Sequence, residues 1–225
     1  MRRALAYGVV TAVVVGGMSG CFLSDEERRD VEYPVEGQVR LLVIEGSTGD
    51  IKVTGGGDAV RVTEQQMYTK RAPETMHALA DGTLTLRYRC PDGKCGVGYE
   101  VQVPAGTEVR VRSSTGGVRL AGLTAGVDAE SGTGSISAER LGSATARLVT
   151  ETGDVGATFT TSPSNVQART DTGSVSVHVP RGEEYAVTAA TDTGSVSVSL
   201  PRRDSASRSI AAKTGTGDVT LVADA

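Results

Sequence analysis

The sequence predicts an all-β protein, a β-solenoid with about six short rungs stacked like a parallel β-helix behind an irregular N-terminal β cap. Three observations predict this fold. A Thr-Gly tetrapeptide recurs at nearly constant spacing, strands that alternate Val with Ser or Thr follow it, and the 225-residue chain has 29 Gly, two Phe and no Trp. Such a composition suits a thin core of small apolar side chains in stacked layers. A β-sandwich is the alternative, because alternating strands separated by turn residues also fit one.

The first twenty residues have the pattern of a secretory signal peptide. Two arginines after Met1 precede the apolar run 4–17. A basic start followed by a short apolar run is typical of export signals. The run is also too short for a typical membrane-spanning helix of about 20 residues. We therefore expect an export signal over 1–20, a lipoprotein signal peptide if the segment at its end is a lipobox. An ordinary signal peptide and a retained single-span membrane anchor are the alternatives.

The end of this segment, Met18-Ser19-Gly20-Cys21, resembles a bacterial lipobox. The resemblance implies cleavage before Cys21 and attachment of a lipid to its thiol. Two or three acyl chains on one cysteine anchor a protein stably, since each buried methylene contributes about 0.8 kcal/mol. The charged residues 21–36 are expected to be a lipid-anchored tether. These features predict a protein of the cell membrane that faces outside the cytoplasm.

Residues 37–112 are less regular, and they predict an N-terminal β part that is continuous with the solenoid. An early Thr-Gly pair at Thr48 indicates a longer, decorated rung of the same structure. Terminal repeats must cap a solenoid, and this part is expected to do so. The polar stretch 72–79 is expected to be a loop or a helical turn.

The cysteines Cys90 and Cys95 are expected to form a disulfide, because an exported protein meets an oxidising environment. They bracket Pro91-Asp92-Gly93-Lys94, which is rich in turn-forming residues. Alternating segments on both sides predict a β-hairpin that the disulfide closes across its loop. The spacing is not C-x-x-C and no His lies nearby, which argues against a redox or metal role.

Residues 113–225 form the Thr-Gly repeat. The tetrapeptide T-G-[DGS]-[VI] occurs seven times, and from Thr115 onward the steps between copies are 18, 19, 20, 21 and 23 residues. In strands such as 175–179 the Val side chains alternate with polar ones, so one face is apolar. A turn and a second strand then lead to the next copy. About twenty residues therefore make one rung.

One glycine holds the same place in every copy, and we assign it as a structural corner residue. A fixed glycine at a turn indicates a backbone that needs positive φ. Asp171 and Asp192, just before their Thr-Gly pairs, are expected to accept hydrogen bonds from the turn amides. The corner glycines are Gly49, Gly116, Gly134, Gly153, Gly173, Gly194 and Gly217.

These features together resemble the bacterial "putative adhesin" family of exported β-solenoid domains. The Thr-Gly copies carry the resemblance, together with Tyr88-Arg89-Cys90-Pro91 and the strand that leads to Val101-Gln102-Val103-Pro104. The cysteine pair is similar to that of actinobacterial lipoprotein members. The resemblance covers 37–222 and implies the solenoid fold and, by analogy, adhesion. It implies no catalytic residue and no cofactor.

The residues themselves point to no catalytic or metal centre. His77 and His178 lie far apart in the sequence, and no serine stands in a G-x-S-x-G motif. The acidic residues near the corners are interpreted as turn formers. Ca²⁺ binding there is a weaker alternative, because the G-G-x-G-x-D motif of calcium-binding β-rolls is missing. A Thr-x-Thr ladder before the corners, as on some ice-binding solenoids, is interpreted as turn stabilisation. The formal net charge of -4 argues against a nucleic-acid partner.

The sequence therefore predicts a non-catalytic, membrane-anchored lipoprotein that presents a repetitive surface outside the cytoplasm. The expected partners are the membrane, through the lipid on Cys21, and a cell-wall polysaccharide, another glycan or a surface protein. A structural or sensory envelope component is the alternative function. An enzyme that acts on glycans is a weaker alternative, because it would need a pair of carboxylates about 5–9.5 Å apart in a cleft.

Overall fold

The computed structural model describes residues 26–224, which form nineteen β-strands and no helix. Short turns and loops join the strands. In chain order the strands are β1 (Glu27–Val35), β2 (Leu41–Thr48), β3 (Ile51–Gly55), β4 (Val60–Tyr68), β5 (Glu74–Ala80), β6 (Thr83–Arg89), β7 (Cys95–Val103), β8 (Glu108–Thr115), β9 (Val118–Ala121), β10 (Val127–Thr133), β11 (Ile136–Leu141), β12 (Thr145–Thr152), β13 (Val155–Phe159), β14 (Asn165–Thr172), β15 (Val175–Pro180), β16 (Ala186–Thr193), β17 (Val196–Ser199), β18 (Ser209–Thr216) and β19 (Val219–Asp224).

The strands form two sheets that enclose a narrow core. Sheet 1 has ten strands in the order β1-β4-β7-β3-β9-β11-β13-β15-β19-β17, and sheet 2 has nine in the order β16-β18-β14-β12-β10-β8-β2-β6-β5. From β2 and β3 to the C-terminal end of the stack, neighbouring strands are parallel, since each turn of the chain adds one strand to each sheet. The predicted all-β solenoid is confirmed. Its parallel sheets distinguish it from a sandwich of antiparallel sheets.

The rungs do not stack in chain order at either end of the molecule. The stack runs β6/β7, β2/β3, β8/β9, β10/β11, β12/β13, β14/β15, β18/β19 and β16/β17. The last rung of the chain therefore lies between its two predecessors, and β19 pairs with both β15 and β17. At the other end, the second rung of the chain lies outside the first. The terminal rungs of the stack are therefore β6/β7 and β16/β17, which are neither the first nor the last rung of the chain.

The core is a ladder of aliphatic side chains, one layer for each rung. A typical inward row of sheet 1 consists of Ile51, Val118, Ile136, Val155, Val175 and Val219, all of them buried. Full burial of one such side chain stabilises a fold by roughly 1.5–3 kcal/mol. Three of the four buried aromatic residues within 26–224 lie towards the ends of the stack, Tyr33 and Tyr99 at the N-terminal end and Tyr185 beside the last rungs, whereas Phe159 lies at the end of β13 in the middle of the stack.

Two predictions for the N-terminal region need correction. Glu27–Val35 is the strand β1, which pairs antiparallel with β4, so most of the tether predicted over 21–36 is already part of the sheet. The stretch 72–79 is neither a loop nor a helical turn over most of its length. It forms the edge strand β5, which pairs antiparallel with β6. Both segments are rich in polar residues because they lie at the exposed edge of the stack.

The disulfide between Cys90 and Cys95 is present, with Cα atoms 5.5 Å apart, but the predicted hairpin is wrong. The strands before and after it belong to different sheets: β6 pairs with β2 and β5, whereas β7 pairs with β3 and β4. The turn residues of the 90–95 loop thus lead the chain around a corner of the solenoid. The disulfide closes that corner in the one rung where no Thr-Gly pair does so.

Candidate functional site

The corner glycines stack above one another along one edge of the solenoid. All seven have φ between +131° and +142°, a region that residues with a side chain rarely adopt. A Cβ on Gly173 would also overlap the carbonyl of Gly153, and one on Gly153 would overlap the backbone of Gly134. Backbone conformation and close packing therefore both require glycine at these positions.

The first threonine of each Thr-x-Thr segment points into the protein. Thr170 and Thr214 are buried, and their Oγ1–H groups donate to the carbonyl oxygens of Gly153 and Gly173 at 2.8 Å and 2.7 Å. Each bond joins one rung to the next. The threonines therefore do not form an exposed flat array, and they stabilise the corners.

A second polar ladder follows the corner glycines. The backbone N–H of Ser174 donates to Oδ1 of Asp154 at 2.8 Å, and the same arrangement recurs between other rungs. The prediction that Asp171 and Asp192 bond the turn amides is wrong, because their side chains occupy exposed positions of the strands before the glycines. Asp171 accepts from Arg169 instead. The polar atoms of the corner bind other atoms of the corner, which makes it structural. In the part of the chain that the structure describes, no three His, Cys, Asp or Glu side chains are grouped as metal ligands.

The outer face of sheet 2 carries a network of ion pairs across β8, β10 and β12. Arg112 contacts Asp128 at 3.1 Å and Glu130 at 2.9 Å, and Arg147 binds the same two carboxylates. Partial burial opposes ionisation of Asp128, but hydrogen bonds from Arg112 and Arg147 outweigh it and lower the pKa of that carboxyl. The charged side chains of this network therefore pair mainly with side chains of the neighbouring strands.

The outer face of sheet 1 contains a groove of about 330 Å³. Gly156 on β13 forms its floor, between Ser137 on β11 and Ser176 on β15 in the same outward row. A Cβ on Gly156 would meet no atom within 4 Å. The recess exists because one position in a row of outward side chains has no side chain.

One wall of the groove is built by a β-bulge in β11. The pairing with β13 shifts between Ala138 and Leu141, and Arg140 takes a left-handed conformation with φ of +49°. The Arg140 N–H donates to Oγ1 of Thr158 at 2.9 Å, which fixes the bulge. As a result, consecutive residues Glu139 and Arg140 both line the groove. Their side chains are mostly exposed and their charged atoms are 3.9 Å apart.

The opposite wall is His178, which two hydrogen bonds hold in place. Its Nδ1 lies 2.6 Å from Oδ2 of Asp224 and its Nε2 lies 3.1 Å from Oγ of Ser176. The order Ser-His-Asp matches that of hydrolase triads. Acyl transfer also needs free N–H donors for an oxyanion, yet β15 pairs with strands on both sides, and Asp224 is exposed rather than buried. The arrangement is therefore suited to holding a ring in a fixed orientation.

A buried polar cluster joins β1, β4 and β7 at the N-terminal end of the stack. Glu64 is only 1% exposed, and it accepts from the hydroxyl of Tyr33 at 2.7 Å and from Nε2 of Gln66 at 3.0 Å. Burial, with the carboxylate of Glu64 close by, raises the pKa of Tyr33 and of Tyr99 well above the usual value. The cluster is closed to solvent and serves to fix the end strands.

The Toastrack DUF4097 family model matches residues 16–224, which include all the strands of both sheets. The chain belongs to this family. Among solved structures, that of a "putative cell adhesion protein" from Clostridium sporogenes superposes on this chain with a TM-score of 0.56. The two sequences are 12% identical, and the match covers 88% of this chain and 100% of that one. A "putative adhesin" from Bacteroides fragilis has a TM-score of 0.48 and 15% identity, over 87% and 97% of the two chains. A "putative lipid binding protein" from Parabacteroides distasonis has a TM-score of 0.33 and 10% identity, over 88% and 96%.

The sequence identity with the Clostridium sporogenes protein is 12%, so this comparison shows only that the two proteins share the Toastrack fold. No curated protein is a detectable relative of the chain. The described part of the Toastrack chain has no helix long and apolar enough to cross a membrane. Cys21, the predicted lipid attachment site, lies outside the described residues.

The residues predicted from the sequence and the groove lie in different places on the Toastrack domain. The glycines and the disulfide lie at corners, where the chain passes between sheets, whereas the groove lies on the outer face of sheet 1. A sequence signal for the groove does exist. The inward residues Ile136, Ala138 and Leu141 are spaced by two and then three, which breaks strand alternation and marks a bulge. Gly156 inside a strand is a second such signal.

Proposed function

We propose that this protein is an exported, lipid-anchored adhesin of the cell envelope that binds its partner with the outer face of sheet 1. The groove over Gly156 carries the proposal. It combines a recess with hydroxyl, carboxylate, guanidinium and imidazole groups on a rigid sheet. Elsewhere on the surface, the corner ladders and the ion pairs of sheet 2 bind other parts of the protein.

The other parts of the proposal rest on the sequence and the fold. The lipobox-like segment before Cys21 supports a lipid anchor and a position outside the cytoplasm. The family fold, shared with a protein described as a "putative cell adhesion protein", supports adhesion over catalysis. A stack of hydrogen-bonded rungs is stiff, which lets such a domain hold a binding face away from the membrane.

A structural role in the envelope is the second candidate, and the ion-pair network of sheet 2 favours it. Arg112, Asp128 and Glu130 pair with one another across neighbouring strands, and these ion pairs join the rungs of the stack. In that role the solenoid is a spacer and its location alone matters.

Binding of the full-length protein in detergent to purified cell-wall sacculi and envelope fractions tests the adhesive role. We expect co-sedimentation with at least one fraction, and the same binding by Cys21→Ala without the anchor. Failure to bind every fraction would contradict adhesion and favour the spacer. Incorporation of radiolabelled palmitate into the wild type, and its loss in Cys21→Ala, tests the anchor separately.

A further inference from the structure

We propose that the groove over Gly156 binds one unit of a neutral, hydroxyl-rich glycan, with Glu139 and Arg140 as its polar contacts and the ring of His178 as its opposite wall. This inference rests on the proposed adhesive function and names the ligand class for it. Three features carry it: the shape of the recess, the way its wall is built, and the balance of its charges.

The shape fits a small ligand. A volume of about 330 Å³ is at the lower end of the range for small-molecule sites, about 300–1,000 Å³. The floor at Gly156 lies between parallel strands that are paired on both sides. The recess is therefore formed before any ligand arrives, and binding need not order a loop. A polymer lying along the sheet would place one unit in the recess.

The wall is built at a cost in backbone energy. Arg140 has a left-handed φ of +49° and stands in a bulge, although a regular strand would have turned its side chain inward. Such outliers are typical of functional sites, where a bulge redirects a side chain. Here the bulge places a guanidinium beside the carboxylate of Glu139 at the rim of the recess. Within residues 26–224, the guanidinium of Arg140 contacts only the carboxylate of Glu139, and that contact is long and exposed.

The polar groups favour a sugar. A sugar hydroxyl both donates and accepts, so neighbouring hydroxyls can bind a carboxylate acceptor and a guanidinium donor that lie side by side. Glu139 and Arg140 provide this pair. The hydroxyls of Ser137 and Ser176 are bonded to Glu139 and His178, and their oxygens can still accept from a sugar hydroxyl. His178, fixed by Asp224, provides a ring at the opposite wall.

The charges favour a neutral ligand over an acidic one. Arg140 offsets Glu139, and Asp224 adds a further negative charge beside His178. A polyanion would meet two carboxylates around the recess and one guanidinium. We therefore expect neutral hexose or N-acetylhexosamine units, and not uronic acids.

The test fills the recess without removing a polar group. Gly156→Val places a β-branched side chain in open space on a strand, so the fold is expected to hold. The matched control is Ala211→Val, which adds similar bulk to an outward position of β18 on sheet 2. Full-length protein in detergent is titrated with neutral oligosaccharides of glucose, mannose, galactose and N-acetylglucosamine, and with hyaluronate as the acidic arm. We expect Gly156→Val to weaken binding of a neutral oligosaccharide by roughly tenfold or more, and Ala211→Val to leave it within about twofold.

A second variant separates binding from folding. Arg140→Gly is expected to raise the melting temperature, because glycine adopts positive φ without strain. The same variant is expected to weaken glycan binding by roughly tenfold. If Arg140 had only a structural role, the variant would be more stable and would bind glycan as the wild type does.

The outcomes distinguish this inference from the proposed function. Unchanged glycan affinity in Gly156→Val would overturn the site, and so would binding of hyaluronate in preference to every neutral sugar. If the wild type binds an envelope fraction but no saccharide of either kind, the glycan inference fails and the adhesive function stands. If it binds no envelope fraction at all, the proposed function fails first.

Discussion

At the scale of single residues, two glycines three positions apart have opposite reasons to be there. Gly153 is at a corner, with φ of +136° and a backbone neighbour where a Cβ would stand. Gly156 has open space at that position and a φ that any residue adopts. Conformation and packing fix the first glycine, whereas the second is dispensable for the fold and available for function.

Alanine at each of the two glycines tests this difference. Gly153→Ala is expected to lower the free energy of unfolding by more than about 2 kcal/mol, because strain at positive φ adds to steric overlap with the next rung. Gly156→Ala is expected to leave stability unchanged or to raise it by up to about 1 kcal/mol. Urea denaturation followed by circular dichroism measures both. Equal effects of the two substitutions would show that the corner does not constrain the chain as its geometry implies.

The buried threonines of the corner make a second residue-level prediction. Thr170→Val keeps the shape of the side chain but removes the hydroxyl that donates to Gly153, and should cost about 1–2 kcal/mol. Thr172→Val, at an exposed position of the same strand, is the control and should change stability by less than about 0.5 kcal/mol. Urea denaturation of both variants is the measurement. A loss at Thr172 as large as that at Thr170 would contradict the role assigned to the buried hydroxyl.

At the scale of strands, the ion pairs of sheet 2 tie β10 to its neighbours and make stability depend on pH. The folded-state pKa of Asp128 lies below its ordinary value of 3.8, so its contribution is present above that pH and is lost as pH falls through the lower folded value. Asp128→Asn is expected to cost about 1 kcal/mol at neutral pH, and the stabilities of the two proteins are expected to converge as pH falls below the lowered pKa of Asp128. Urea denaturation across this pH range checks the sign. A difference that grows as pH falls would contradict it.

The disulfide corner between β6 and β7 is a further test at this scale. A short closed loop contributes about 2 kcal/mol in the chain-entropy account, so Cys90→Ala with Cys95→Ala should lose about that much and still fold. The hydrogen bonds of β7 with β3 and β4 do not depend on the disulfide. Hydrogen exchange should therefore show increased opening of the 90–94 loop, with β7 still protected. Loss of protection throughout β7 would mean that the disulfide holds the strand itself.

At the scale of the whole molecule, the sequence predicts features that are determined within one rung. It does not predict features that depend on which rungs are neighbours in space. The corner glycines and the thin core could be predicted because each rung has its own copy of the Thr-Gly motif and of the alternating strand. The hairpin at Cys90 was wrong because the same turn residues serve a hairpin and a corner. The contact of His178 with Asp224 could not be foreseen, since it exists only because β19 lies beside β15.

The last two rungs of the chain stack in swapped order, and this order can be tested by truncation. A solenoid stacked in chain order would respond differently. In such a solenoid, a chain ending at Leu200 would lose one terminal rung and keep every other interface. Here that truncation removes β18 and β19 from between β14/β15 and β16/β17, so β16/β17 loses its neighbouring rung. Because a rung is stable only against a neighbour, chains ending at Leu200 and at Pro180 should unfold at similar urea concentrations.

Hydrogen exchange completes this test. In the chain ending at Leu200, the amides of β16 and β17 should exchange as in an unfolded segment, while β12 and β14 stay protected. Protection of β16, together with a clear gain in stability over the chain ending at Pro180, would mean that this rung can dock directly on β14/β15. The similar corner residues of all rungs would then suffice for stacking. The swapped order of the last two rungs would reflect a preference for one neighbouring rung and not a requirement for it. Either result measures how much of the order of the stack lies in side chains particular to one pair of rungs.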